Sequence, residues 1–356
     1  MRPRPLLLTL LLASGAAWAQ EVTVQSTTIL RLWQEELPGM DKQSFAPGVQ
    51  LLGIDATGLR GENLSLHLYG WGYHDFREET RMGRATDGDL SYGYLRYRFD
   101  KANAEIKAGR FTVAQGGGFE WIDGVSARAD LRGGFTLSLF GGLPVWLRGQ
   151  EDRLQKDYEY QRDFIAGARL AKRVAKVAEV GLSVLVDGTK PAHKLHQPSA
   201  YDYTRRHVGL DLRVMGPSGL DLNGRTVWDV ADRPELLSGQ EEPKRIAEHD
   251  YSLSWRFGDA VAVTAGFAER NFHAYYAGTT LPSLFRPDER GSFTSMNGKV
   301  VWTATEDVEV SADYRQADRE SYGASDRFGG DLRWKISGKK LQAGFGYHRV
   351  SAPDVL

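Results

Sequence analysis

The sequence predicts an all-β protein, a transmembrane antiparallel up-and-down β-barrel of about 16–18 strands. Three observations carry that reading. Apolar and polar residues alternate in short segments from near residue 22 to the end, with no convincing long helix. The polar face repeatedly carries Arg, Asp and Lys, behind an N-terminal export signal. Connections between the segments alternate between tight and long. A period of two gives a strand one oily and one wet face. For an exported chain whose wet faces are charged, the expected solvent of the oily faces is lipid.

Residues 1–19 read as a signal peptide. Arg2 and Arg4 precede an apolar run from Leu6 to Ala13, and Ala17-Trp18-Ala19 offers a small-bulky-small cleavage pattern. That run is shorter than the roughly 20 residues a spanning helix needs. Residues 20–356 are then the barrel domain. The mean hydropathy of −0.42, with 41% hydrophobic residues, excludes a helical membrane protein. A barrel tolerates such polarity because only alternate residues meet lipid. The absence of cysteine excludes disulfides, thiolate metal sites, Cys-x-x-Cys-His haem attachment and a lipoprotein anchor. A formal charge of −1 gives no case for nucleic acid.

Strand centres fall near residues 27, 53, 68, 95, 107, 127, 138, 168, 182, 210, 224, 254, 265, 300, 312, 333 and 345. In Ala178–Asp187, for example, Val180, Leu182, Val184 and Val186 share one parity. One phase slip stands out: Leu64, Leu66 and Leu68 are even, whereas Tyr69, Trp71 and Tyr73 are odd, which suggests a bulge or an aromatic girdle. Tight turns read at 58–61, 100–103, 132–134, 176–177, 216–219, 258–259, 306–307 and 337–340, all rich in turn-forming residues. Long polar loops are expected at 34–47, 74–89, 114–122, 142–163, 188–203, 231–248, 271–292 and 316–328.

Signal peptide, alternation and turn asymmetry together resemble the Gram-negative outer-membrane porin-like barrels along the whole mature length. Short periplasmic turns opposite long external loops are that family's pattern. The chain departs from it in closing on Ser351-Ala352-Pro353-Asp354-Val355-Leu356 rather than on a terminal aromatic. Bacterial barrels of this kind have even strand numbers, so an even count near the seventeen segments above is expected.

Charges on the wet faces are the candidate functional residues. They are Arg96, Arg98, Glu105, Lys107, Arg128, Asp130, Arg132, Asp211, Arg213, Asp221, Arg225, Glu309, Asp313, Arg315, Asp331 and Arg333. Opposite signs on neighbouring strands can pair across a wall or orient a passing solute. The alternative is a solvated wall with no selective role. Trp228, Trp255, Trp302, Tyr314 and Trp334 take the opposite parity and are expected in an outer aromatic belt. Tyr92 and Tyr94 share the parity of Arg96 and would face inward, where a sugar-stacking track would have to lie. The glycine trio Gly116–Gly118 lacks the Lys-Ser/Thr of a phosphate loop. His193 and His196 lack the further ligands a metal site needs.

The expected function is an outer-membrane channel for passive or weakly selective diffusion of small hydrophilic solutes or ions, without catalysis, cofactor or metal. The alternative is a structural sheath around a cytochrome partner in an electron conduit. Expected partners are outer-membrane lipid and lipopolysaccharide, small solutes, and a second copy of the chain or a cytochrome, but not nucleic acid.

Overall fold

A computed structural model describes residues 20–35, 43–59, 61–77, 85–115, 118–145, 164–189, 202–217, 219–230, 245–271, 292–320, 323–336 and 341–352. The signal segment 1–19, the two loop histidines and most of the long connections lie outside the described residues. In chain order the strands are β1 (Glu21–Leu30), β2 (Trp33–Glu35), β3 (Gln43–Phe45), β4 (Pro47–Thr57), β5 (Leu64–Asp75), β6 (Thr86–Phe99) and β7 (Ala104–Gln115). Next come β8 (Gly118–Leu131), β9 (Phe135–Pro144), β10 (Phe164–Val174), β11 (Ala178–Thr189), β12 (Asp202–Met215) and β13 (Asp221–Asp229). The last are β14 (Ile246–Phe257), β15 (Val261–Asn271), β16 (Ser292–Thr303), β17 (Val308–Arg319), β18 (Gly323–Ile336) and β19 (Leu341–Ser351).

All seventeen expected centres fall inside these strands; the short pair β2–β3 is additional. No helix among the described residues is long and apolar enough to cross a membrane. Two expected loops are corrected. The one at 316–328 shrinks because β17 runs to Arg319 and β18 starts at Gly323, and that at 114–122 because β7 reaches Gln115 and β8 starts at Gly118. Their polar composition reads as loop, yet a strand that continues beyond the hydrocarbon can be polar on both faces.

The chain forms two compact units. The first holds residues up to Val113 together with Glu120–Asp130 and Phe140–Val145. In it β1 pairs antiparallel with β4, and β4, β5, β6 and β7 follow in sequence. Leu64, Leu66 and Leu68 lie opposite Tyr97, Leu95 and Gly93 on one face, while Ser65, His67 and Tyr69 lie opposite Arg96, Tyr94 and Tyr92 on the other. The phase slip is resolved here. Strand β5 keeps its phase, and the bulge sits on β6, where Tyr69 faces Tyr92 but Gly70 faces Leu90, leaving Ser91 as the extra residue. Tyr69, Trp71 and Tyr73 therefore stay on the face of Arg96. Between β1 and β4 the hairpin β2–β3 stacks Trp33 on Phe45 with centroids 5.1 Å apart.

In the second unit β10 to β19 pair successively and antiparallel. Its solvent exposure is inverted relative to a water-soluble fold. Leu182 is 55% exposed and Leu210 45%, whereas Asp187 is 1% and His207 2% exposed. Many aliphatic side chains thus lie on the accessible face, while Asp187, Arg205, His207 and Glu248 are buried. Water would penalise that arrangement and lipid rewards it. Trp255, Trp302, Tyr314 and Trp334 lie with the exposed aliphatics, as their parity predicts. Tight turns need left-handed residues, and the β10–β11 turn obtains them from Ala175 and Lys176, both with positive φ.

Candidate functional site

The enclosed face of the second unit is built from arginines that reach across strands to carboxylates. Arg169 on β10 lies opposite Ser183 on β11, and Gly181 lies opposite Asp211 on β12. Because Gly181 has no side chain, Arg169 passes over it. Its Nε donates to Asp211 Oδ2 at 3.0 Å, and its Nη2 donates to Glu179 Oε1 at 2.9 Å. A Cβ at position 181 would lie 2.6 Å from Arg169 Nε, so the guanidinium would have to shift to accommodate it. Near the other end of β11, Arg205 donates through Nε and Nη2 to Asp187 Oδ2 at 2.9 and 2.6 Å, with both residues buried. On β14 the enclosed carboxylate of Glu248 receives Arg225 at 2.9 Å and Arg270 from β15.

Such charge-assisted bonds are short and directional, and each fixes the relative position of two or three strands. Their enclosure matters more than their number. Exposed ion pairs contribute little, whereas losing one partner of a buried pair leaves an uncompensated charge.

Farther along, Arg333 lies 3.6 Å from Glu309, and Asp313 lies 3.8 Å from Arg327. His348 on β19 comes within 3.7 Å of Asp313 and 3.3 Å of Asp331. Asp313, Asp331 and His348 are close enough to share a cation. Arg327 already brings a positive charge, its Nη2 lying 3.2 Å from His348 Nδ1. Arg315 is exposed on the same face, opposite Asn297 and Arg327. Asp221 opens β13 and accepts from Asn223 Nδ2 at 2.8 Å, and Arg213 stands opposite Asn223.

In the first unit Arg96 lies opposite Lys107 and Arg98 opposite Glu105. Lys107 Nζ sits 3.3 Å from Glu105, and Arg96 Nε donates to Ser65 Oγ at 3.3 Å. Arg98, Glu105, Arg128 and Asp130 gather around one open cavity of about 400 Å³ beside the turn at residues 100–103. Arg128 and Asp130 are 3.9 Å apart. Arg110 is gripped by both oxygens of Asp123, at 2.7 and 2.8 Å, and reaches Asp89 at 3.2 Å. Arg132, which belongs to the second unit, is the outlier of the expected set: it is exposed in the turn after β8 rather than on a strand.

Sequence reasoning missed Arg169, Asp187, Arg205, Glu248 and Arg270. Their signal was parity. Arg205 and His207 share the odd phase of Asp211, so extending that alternating segment by two residues would have found Arg205.

Aliphatic faces turned to the surroundings and ionic faces turned away define the membrane-spanning β-barrel class. No family model matches the chain, and no curated protein matches it. Among solved structures it is similar to Pseudomonas aeruginosa OccK3 (OpdO), with 13% identity over 97% of this chain and 95% of that one and a TM-score of 0.51. It is also similar to Pseudomonas aeruginosa OccK8 (OprE), with 11% identity over 94% of this chain and 96% of that one and a TM-score of 0.51. At that identity the likeness establishes the fold alone: an antiparallel up-and-down, barrel-like β fold.

Proposed function

We propose that residues 20–356 form an outer-membrane channel for passive or weakly selective diffusion of small hydrophilic solutes or ions, exported by a signal peptide at 1–19. The observation that carries this reading is the ionic lining. A wall that encloses Arg169, Asp187, Arg205, Asp211 and Glu248 while exposing Leu182, Val184 and Leu210 suits a hydrated interior inside hydrocarbon. The fold of OccK3 and OccK8 supports it. Most of the enclosed charges are paired with opposite ones, which fits weak rather than steep selectivity. In the first unit Arg98, Glu105, Arg128 and Asp130 around their open cavity show the same mixture of signs.

Purified full-length protein in planar lipid bilayers tests the proposal. Stepwise, ohmic current increments in KCl are expected. A correctly folded barrel that inserts and stays electrically silent would overturn it, and co-purification of that silent barrel with a cytochrome would establish the sheath instead.

A further inference from the structure

The first unit carries on its ionic face something that face does not need: a row of aromatic side chains. His67, Tyr69, Trp71 and Tyr73 occupy every second position of β5, and Tyr92 and Tyr94 lie beside them on β6. Phe111 of β7 closes the row edge-on to Tyr94 at 6.1 Å. His67 stacks with Tyr94 at 5.0 Å, and Tyr69 with Tyr92 at 5.6 Å, with interplanar angles of 28° and 20°. Face-on contact brings carbons to about 3.5–4.0 Å, so rings this far apart are offset and part of each face stays open. His67, Tyr69, Trp71, Tyr73, Tyr92 and Tyr94 are all half-buried. Tyr69 leans over Gly53 of β4, where a Cβ would come 3.2 Å from its ring.

From His67 to Tyr73 the row extends roughly 20 Å, six residues at about 3.4 Å each. Hydrogen-bonding groups flank it throughout. Asp55 pairs with His67 at 2.6 Å, Lys107 lies 5.8 Å from the Tyr94 centroid, Arg96 lies beyond, and Asp87 and Asp89 are opposite Tyr73 and Trp71.

Aromatic belts in such proteins belong at the lipid interface. Rings on the opposite face leave apolar surface against water unless an amphipathic solute covers it. A pyranose fits: its C–H face lies on a ring while its hydroxyls reach carboxylates and amines at the edge. Acids and bases both border the row, which suits an uncharged sugar rather than an anion or a cation. We infer that the row formed by His67, Tyr69, Trp71, Tyr73, Tyr92 and Tyr94 is a stacking track for neutral oligosaccharides. The inference rests on the channel reading, since the track would lie along the passage.

The test adds maltohexaose to full-length protein in planar bilayers and, separately, to detergent-solubilised protein in a calorimeter. Reversible, concentration-dependent interruption of the current is expected, together with saturable binding. The Tyr69→Ala/Tyr92→Ala variant, with strand content checked by circular dichroism, should bind about tenfold more weakly, the loss of two ordinary ring contacts. Tyr69→Phe/Tyr92→Phe should keep affinity within about threefold, because the rings remain. An open channel that maltohexaose neither blocks nor binds overturns the track and leaves the channel standing. Binding to a silent barrel, lost in the alanine variant, supports the track and overturns the channel. Binding unchanged in the alanine variant overturns the track.

Discussion

Gly181 shows how a single residue sets the chemistry of a wall. Without a Cβ it lets Arg169 cross a strand to Asp211; with one, the guanidinium would be displaced. Gly181→Val should therefore break the bridge and destabilise the protein by about 1–3 kcal/mol, the range for overpacking an enclosed site, measured from urea unfolding in lipid vesicles. Arg205 makes the same point through charge. Its removal takes a paired cation from Asp187, which is 1% exposed, so Arg205→Ala should cost about 3–5 kcal/mol. Replacing both residues by apolar ones of similar size should recover much of that loss. The outer face follows a different rule. Val184→Arg should cost about 2–4 kcal/mol if it lies near the bilayer midplane, and Ser252→Arg, on the ionic face beside Asp250, less than about 1 kcal/mol. Equal penalties at the two positions would mean that the faces are exchanged.

At the scale of single elements, the β10–β11 hairpin turns through two residues that dislike their conformation. Ala175 and Lys176 have φ of 48° and 61°, which Asn and Gly tolerate far better. Ala175→Asn/Lys176→Gly should raise stability by about 1 kcal/mol in the same unfolding measurement. Elements were also where the sequence was most readable. A period of two survives in most long strands because lipid demands apolar residues at alternate positions, and most of the tight turns punctuate it with glycine or aspartate. The hairpin β2–β3 stayed hidden because three residues are too few to display a period. The aromatic row was only half legible. Tyr92 and Tyr94 declared themselves by sharing the parity of Arg96, whereas Trp71 and Tyr73 seemed to have slipped. The bulge at Ser91 lies on the partner strand, and pairing register is a non-local property that no single segment reports. Buried ion pairs escaped for the same reason: Arg169 and Asp211 are 42 positions apart along the chain.

For the molecule as a whole, paired charges predict a nearly neutral passage. Wild-type reversal potentials in a KCl gradient should therefore lie close to zero. Arg169→Ala leaves Asp211 and Glu179 without their shared cation and should shift the reversal potential toward cation preference. Glu248→Ala removes the carboxylate that Arg225 and Arg270 share and should shift it the other way. Two shifts of the same sign, or none, would place these groups away from the ion path.

The registered strand pairs have one more consequence. Within each unit, each joins neighbours along the chain, with β1 and β4 separated only by a small hairpin. Contacts of such short range can form progressively, so growth can proceed one hairpin after another. They also make the hairpin the natural unit of gain and loss in descent. Excising two successive strands preserves the direction of every later strand, whereas excising one would reverse them all and exchange the ends at which their connections lie.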